Sequence, residues 1–381
     1  MASGWRTIGQ DMILPIKRRV ICTVGPASLK PKVIRRLQAL GVSLFRINLS
    51  HTPIEEVRPA IAFLQEHSTV AICLDSEGAQ VRTGTFAVAP TGLRKDSVIE
   101  VHGYPICGDA QKFNFTPPAI LELLQVGDLI TIDFHAVVAQ VTEINSKRAV
   151  LRVRKGGLVG NNKACNVHRD IELPAITVKD RQAIEIGREM GIAHFALSFA
   201  NRPRDVQEMR ELIGPSATLI SKIESRSGVA HLEEIARLSD AILIDRGDLS
   251  RQVPLEKIPA MQKGIIARVR ATGRPVFVAT NLLESMVHVP VPTLAEINDI
   301  YNTLHDGANA LVLAAETAVG KFPIGCVGMA MRVIAEFERA GQSGEKNTSS
   351  EGHPHSMMGK KEQGVDKVGP PAKLLQGDYG D

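Results

Sequence analysis

Eight short apolar runs, rich in β-branched residues, recur along the chain, and most are followed by a segment of helical period. They read "RRVICTV", "LFRINL", "VAICLD", "HFALSF", "TLISKIE", "AILID", "PVFVAT" and "ALVLAAE". The intervening segments include "LKPKVIRRLQALG", "VKDRQAIEIGREMG", "RPRDVQEMRELIG" and "SGVAHLEEIARLS". Strands apolar on both faces must be covered on both faces, so helices that connect them imply a parallel sheet. Several helical segments close on Gly, which tolerates the left-handed conformation at a helix end. Eight such units predict an α/β fold, specifically a (β/α)8 TIM barrel.

One interval departs from this rhythm. From about residue 85 to 172, "GDLITIDFHAVVAQVTEI" and "KRAVLRVRKGG" alternate apolar and polar residues with turn residues between, as antiparallel strands do. This predicts a small all-β, barrel-like lid domain inserted after strand three. The expected organisation is a first barrel part with its N-terminal segment over 1–84, the lid over 85–172 and a second barrel part over 173–339. A tail over 340–381, rich in Gly, Ser, Lys and Pro, lacks the apolar surface to offset its ordering entropy and is expected to be disordered. His353 and His355 in it are read as solvated rather than as a metal site.

Composition narrows the function classes. Aromatic residues are 4% of the chain, too few for a surface that stacks nucleic-acid bases. The formal net charge of +4 is spread among interspersed acids and bases, with no dense basic run. No nucleic-acid or membrane partner is therefore expected. The N-terminal "MASGWRTIGQDMILPIKRR" lacks an apolar signal core, and no apolar run reaches the roughly 18 residues of a membrane span. Five scattered cysteines without a CxxC pair fit reduced thiols, and a cytoplasmic location is expected.

In such a barrel, chemistry gathers at the C-terminal ends of the strands. Strand two ends in Arg46, Asn48, Ser50 and His51, strand three in Asp75 and Ser76, and strand five in Lys222 and Glu224. Strand six supplies Asp245, Arg246 and Asp248, strand seven Thr280 and strand eight Glu316. Residues two apart on a strand share a face, so Lys222 and Glu224 both point inward. Glu224 with Asp248 makes a two-carboxylate site suited to Mg2+ (or Mn2+). Lys222 and Arg46 add the fixed positive charge that a transferring phosphoryl group needs. The alternative is a rim ion pair in which Lys222 and Glu224 merely neutralise each other. Asn48, Ser50, Asp75 and Ser76 form a second oxygen cluster, either a monovalent-cation site or a hydrogen-bonded loop. Lys163, in "GGLVGNNKACN", either reaches a phosphate from the lid or is solvated.

Taken together, "ICTVGPAS", "RINLSH", "LDSEGAQVRTG", "GDLITID", "LPAITVKD", "SKIESRSGV", "SDAILIDRGDL", "ATNLLESM", "PTLAEINDI" and "AETAVGKFP" resemble the pyruvate kinase family, in the family's order. The resemblance implies phosphoenolpyruvate and ADP as substrates, pyruvate and ATP as products, a place in glycolysis, and Mg2+ with K+. Carried over by motif, Lys222 would stabilise the phosphoryl group in transfer, Arg46 would hold the phosphate, and Glu224 and Asp248 would ligate Mg2+. The Gly247 backbone would meet the substrate carboxylate, with Asp248 beside it, and Thr280 would bind substrate near the enolate proton. Asn48, Ser50, Asp75 and Ser76 would hold K+. Asn48, His51, Arg82 and Lys163 would approach the nucleotide phosphates.

The departures from the family pattern lie near the mouth. The family's "LDTKGPEIRTG" is "LDSEGAQVRTG", so Glu77 reverses a charge. Gln80 replaces the Glu that accompanies K+ dependence, which argues against a firm K+ requirement. In the lid, Asp133-Phe134-His135 stands for Asp-Asp-Gly, and Ala164, His168 and Arg169 replace Gly, Pro and Gly. Asp245 replaces Ala, Ser250 replaces Gly, Asn281 replaces Gln, Ala314 replaces Ser and Val319 replaces Lys. The family's C-terminal effector domain has no counterpart in the polar tail, so no effector control of that type is expected. A homo-oligomer would use barrel surfaces. Three functions compete: a pyruvate kinase-like phosphotransferase, a metal-dependent lyase or aldolase handling a pyruvate enolate, and a catalytically degenerate phosphoenolpyruvate-binding regulatory protein.

Overall fold

The structure is a computed structural model, which describes residues 18–348 except 79, 134, 135 and 170. His353, His355 and residues 349–381 of the expected tail lie outside the described residues, as do Phe134 and His135. Eight parallel strands close into a barrel in the sequential order of the chain. They are Arg19–Thr23, Leu44–Asn48, Ala71–Asp75, His194–Leu197, Thr218–Ile223, Ala241–Asp245, Val276–Ala279 and Ala310–Leu313, strands one to eight below. The eight expected runs supply these eight strands.

The pleat sorts each strand's residues into two cores. Ile21, Leu44, Cys73, Ala196, Ile220, Leu243, Phe277 and Val312 face the barrel axis and form one apolar layer. Their neighbours Val20, Cys22, Phe45, Leu74, Phe195, Leu219, Ile242 and Ile244 pack outward against the helices. Both sets are essentially solvent-free, which is why the sequence shows continuous apolar runs rather than alternation.

Between strands three and four the chain leaves the barrel and builds a second, smaller one of seven strands. Arg148–Lys155, Val98–His102, Lys112–Thr116, Val81–Thr83, Ala164–Val167, Leu129–Ile132 and Val137–Ile144 close around Phe113, Phe115, Ile130, Val141 and Leu151. All neighbouring pairs are antiparallel except Val98–His102 with Lys112–Thr116, which run parallel. The first lid strand, Val81–Thr83, lies just upstream of the expected start at 85.

A buried aspartate ties this excursion to the barrel. Thr177 and Asp180 form a reciprocal capping box on the helix Val178–Glu189, where the chain re-enters the barrel. The same Asp180 carboxylate accepts from the backbone N–H groups of Glu77 (2.6 Å) and Gly78 (3.1 Å), where the chain leaves it. Gly78 has φ +74°, and a Cβ there would lie 2.6 Å from Ser198 Cβ, so both backbone conformation and space require glycine.

At the far end, the helix Pro323–Thr348 continues past the expected tail boundary at 340. Extending an existing helix gains one hydrogen bond per residue fixed, which polar composition alone does not reveal. Among the described residues, no helix is long and apolar enough to cross a membrane.

Candidate functional site

The inward-facing positions immediately above the apolar barrel layer are polar. Two residues beyond Ile21, Leu44, Cys73, Ala196, Ile220 and Leu243 stand Thr23, Arg46, Asp75, Ser198, Lys222 and Asp245. All six are buried. The alternation of the strands thus converts an apolar floor into a ring of hydrogen-bonding and charged groups one layer up.

Lys222 is the hub of that ring. Its ammonium donates to Ser198 Oγ at 3.0 Å and to Asp75 Oδ2 at 3.3 Å. Glu224 Oε1 lies 2.9 Å away and Asp245 Oδ2 3.8 Å away. Burial alone would lower the pKa of Lys222, but Asp75, Glu224 and Asp245 outweigh it and hold the group firmly protonated. Arg46 is equally fixed, its Nε donating to Thr23 Oγ1 at 2.8 Å and its Nη1 to Asp75 Oδ2 at 3.0 Å.

The carboxylates on the far side of Lys222 outnumber the cations that face them. Glu224 accepts from the Phe199 N–H through Oε2 at 2.6 Å. Its Oε1 is buried, ion-paired with the Lys222 ammonium at 2.9 Å, and accepts no hydrogen bond. Burial raises the Glu224 pKa; Lys222 opposes this, while Asp248, Asp245 and Asp75 reinforce it. Ligand atoms of Glu224, Asp245 and Asp248 all lie within 4.8 Å of one another, among the described residues a group able to hold a metal ion. The donor set, all carboxylate oxygen, fits a hard divalent cation, and the hydrogen-bond-free buried Oε1 is the kind of atom such a cation satisfies.

Thr280 closes the ring from strand seven. Its Oγ1 accepts from the Gly247 N–H at 2.8 Å and has two acceptors within reach of its one proton, the Ala279 carbonyl at 2.6 Å and Asp245 Oδ1 at 3.2 Å. Thr280 and Asn281 have φ +72° and +53°, consecutive left-handed residues with Cβ atoms, a conformation that surrounding contacts must hold in place. Arg246 does so: Nε and Nη2 donate to the Thr280 carbonyl, while Nη1 pairs with Asp299 at 2.7 Å.

The remaining candidates differ in how they are engaged. Asp75 serves Arg46 and Lys222, and Ser76 Oγ accepts from the Ser198 N–H at 2.8 Å. Asn48 Oδ1 closes a local turn onto the Ser50 N–H, and the Ser50 carbonyl accepts from Asn162 of the lid. Asp75 thus belongs to the Lys222 ring with Ser76 beside it at Ser198, whereas Asn48 and Ser50 make a local turn and a contact with the lid. Arg82 donates to the Asn162 carbonyl, and Lys163 pairs with Asp133 at 3.1 Å within the lid. His51 stands near Arg82, Arg46 and Lys179, and desolvation followed by those charges lowers its pKa. The reversed charge at Glu77 is answered by Lys179 at 3.2 Å. Gln80 donates to Asp248 Oδ1 at 3.2 Å, as a neutral side chain can and a glutamate could not. A cleft of about 640 Å3 opens beside Asp248, with Gln80, His168 and Arg169 on one side and Arg202, Arg226 and Arg251 on another.

One residue, Ser198, escaped the strand-end reasoning, Asp245 was named there but not grouped with the metal pair, and Glu316 was misplaced. Ser198, the inward residue that follows strand four, bonds Lys222 and Asp75 but was not among the polar strand ends considered. The i, i+2 rule applied from Ala196 would have found it. Asp245 joins Glu224 and Asp248, a grouping that needs three-dimensional proximity. Glu316, expected at the mouth, is fully buried and accepts from the Leu283 and Ala314 N–H groups, a brace between the strand seven and strand eight loops.

Comparison with known proteins agrees with this geometry. Residues 16–327 match the family described as pyruvate kinase, barrel domain. A pyruvate kinase from Methylorubrum extorquens is 36% identical over 329 residues, covering 85% of this chain and 69% of that protein. One from Agrobacterium vitis is 37% identical over 333 residues, covering 85% and 68%. One from Thermotoga maritima is 34% identical over 330 residues, covering 84% and 71%.

Proposed function

Because the chain belongs to the pyruvate kinase family, we propose that it transfers the phosphoryl group of phosphoenolpyruvate to ADP, giving pyruvate and ATP. The observation that carries this reading is the buried Lys222 ammonium, fixed at the barrel mouth beside Glu224 and within one layer of Arg46. A cation locked in place before substrate arrives stabilises developing phosphoryl charge without reorganising at the moment of reaction.

In this reading, Glu224 and Asp248 would hold Mg2+ or Mn2+, which would supply Lewis-acid charge neutralisation at the mouth. Lys222 meets the phosphoryl oxygens in flight, and Arg46, which shares Asp75 Oδ2 with it, orients the phosphate. The Gly247 N–H and Thr280 face the three-carbon acid, and the Thr280 hydroxyl, held between Gly247, Ala279 and Asp245, lies where the enolate takes up its proton. Burial of the whole layer excludes water that would intercept the phosphoryl group. His51, Arg82 and Lys163 approach the nucleotide from the rim and lid; Lys163 exchanges its Asp133 partner for phosphate. The neutral Gln80 makes K+ dispensable.

A coupled assay for ATP from phosphoenolpyruvate and ADP, with Mg2+ and with or without K+, tests this. Turnover without K+ is the expected result. Lys222→Met should lower kcat at least a thousandfold while ADP binding is retained. Turnover near wild type in that variant would sink the assignment. Because the substitution leaves Asp75, Glu224 and Asp245 buried without their shared cation, it also costs about 3–5 kcal/mol of stability. Folding of the variant is therefore verified by circular dichroism at the assay temperature. The lyase and regulatory-protein readings gain no observation of their own from the site; Mg2+-dependent oxalate binding without turnover would point to the lyase.

A further inference from the structure

Asp245 stands where the family motif has alanine, and its carboxylate enters the centre of the site. It is the last inward-facing residue of strand six and is buried. Oδ1 accepts from Thr280 Oγ1 and from the Gly247 N–H, both at 3.2 Å, which fixes the carboxylate's direction. Oδ2 reaches to 3.8 Å from Lys222 Nζ. The group lies within 4.8 Å of ligand atoms on both Glu224 and Asp248. Glu224 Oε1 is buried beside it and accepts no hydrogen bond.

We propose that Asp245 is a third carboxylate of the divalent-cation site, a ligand that the family motif does not supply. The argument is one of ligand count and charge. Mg2+ and Mn2+ bound through one or two carboxylates draw their remaining ligands from waters and substrate oxygens. A third fixed carboxylate adds a protein ligand and a negative charge to the empty site, and both raise affinity in the absence of substrate. The surroundings favour this over a purely structural role. Asp245 faces one shared cation, Lys222, which already serves Asp75 and lies against Glu224. Even with Arg46 on Asp75 and Arg251 on Asp248, the four carboxylates Asp75, Glu224, Asp245 and Asp248 face three cations, and a divalent ion answers the excess. Asp245 also engages the Gly247 N–H, the group proposed above for the substrate carboxylate, so cation and acid binding meet at one residue.

The inference rests on the family reading only in placing a divalent cation at this mouth; it does not require phosphoenolpyruvate to be the substrate. Mn2+ binding to the full chain, without substrate, is measured by the electron paramagnetic resonance signal of free Mn2+ and by titration calorimetry. Wild type should show one site of defined stoichiometry, weakened at least tenfold in both Asp245→Ala and Asp245→Asn. The asparagine variant keeps an oxygen for Thr280 and Gly247 and removes the charge, so it carries the comparison if the alanine variant folds poorly. Wild-type affinity in either folded variant, or a wild type that binds Mn2+ only once oxalate is added, would overturn the proposal. The assay for ATP formation is read separately. Asp245-dependent Mn2+ binding without turnover upholds the third carboxylate and refutes the kinase reading; turnover with Asp245-independent Mn2+ binding does the reverse.

Discussion

Replacing Asp180 by alanine should destabilise the protein out of proportion to one side chain. The carboxylate accepts three backbone N–H groups, from Glu77, Gly78 and Thr177, at 2.6, 3.1 and 3.0 Å. It therefore joins the segment leaving strand three to the segment entering the helix Val178–Glu189. Hydrogen bonds to a charged acceptor contribute about 1.5–3 kcal/mol each, and an orphaned buried amide costs about 1–3 kcal/mol. The capping box alone contributes about 0.5–2 kcal/mol. Glu77 and Thr177 are only partly buried, so water recovers some of their loss, whereas Gly78 is fully enclosed. The net expectation is a loss of about 3–4 kcal/mol, measured by equilibrium urea unfolding at neutral pH. Asp180→Asn, which keeps one oxygen acceptor and sets an amide against the other N–H groups, should lose about half as much. A loss below about 1 kcal/mol for Asp180→Ala would refute the claim that this residue locks the two crossings between barrels.

Further outcomes follow from burial and charge. Alkylation of the native protein at pH 7 should label Cys107 alone. Among the cysteines it is the exposed one, while burial pushes Cys22 and Cys326 up to about 12 and Cys73 and Cys165 higher still; rapid labelling of a second native thiol, read by mass spectrometry, would contradict this. His194 is 7% exposed, and burial lowers its pKa to about 4, with Asp240 opposing. The unfolded chain, in which the imidazole titrates at about 6.5, then binds the extra proton first. Stability should accordingly fall as pH drops from about 7 to 4, by up to about 3 kcal/mol from this residue. His194→Asn should flatten that part of the urea-midpoint profile, and an unchanged slope would remove His194 as its source.

The barrel was legible because its strands are buried on both faces, and eight apolar runs joined by helical segments admit few other arrangements. The same pleat made Lys222, Glu224 and Arg46 readable as a convergent set, since i, i+2 spacing fixes the face. Spacing within one strand says nothing about distance across the barrel, so the grouping of Asp245 with Glu224 and Asp248 stayed hidden. Glu316 shows the converse difficulty. A carboxylate just beyond a strand looks the same in sequence whether it faces the mouth or turns back to brace two loops. In the lid, the long strands Val137–Ile144 and Arg148–Lys155 announced themselves by alternation, whereas the three residues Val81–Thr83 are too few to display a period.

Strand three pairs with strand four through Cys73, Leu74 and Asp75, opposite His194, Phe195 and Ala196. On a ribosome these partners do not emerge together, because the whole lid is made between them. At ~5–20 residues per second, strand three waits on the order of ten seconds with one edge unpaired. The lid carries its own apolar centre and can consolidate during that interval, but the half-made barrel presents an open row of N–H and C=O groups to any neighbouring chain. The architecture that suspends a cap over the mouth thus carries a vulnerability in synthesis. Slowed translation within the lid should increase aggregation of the nascent protein, while slowed translation after strand eight should not.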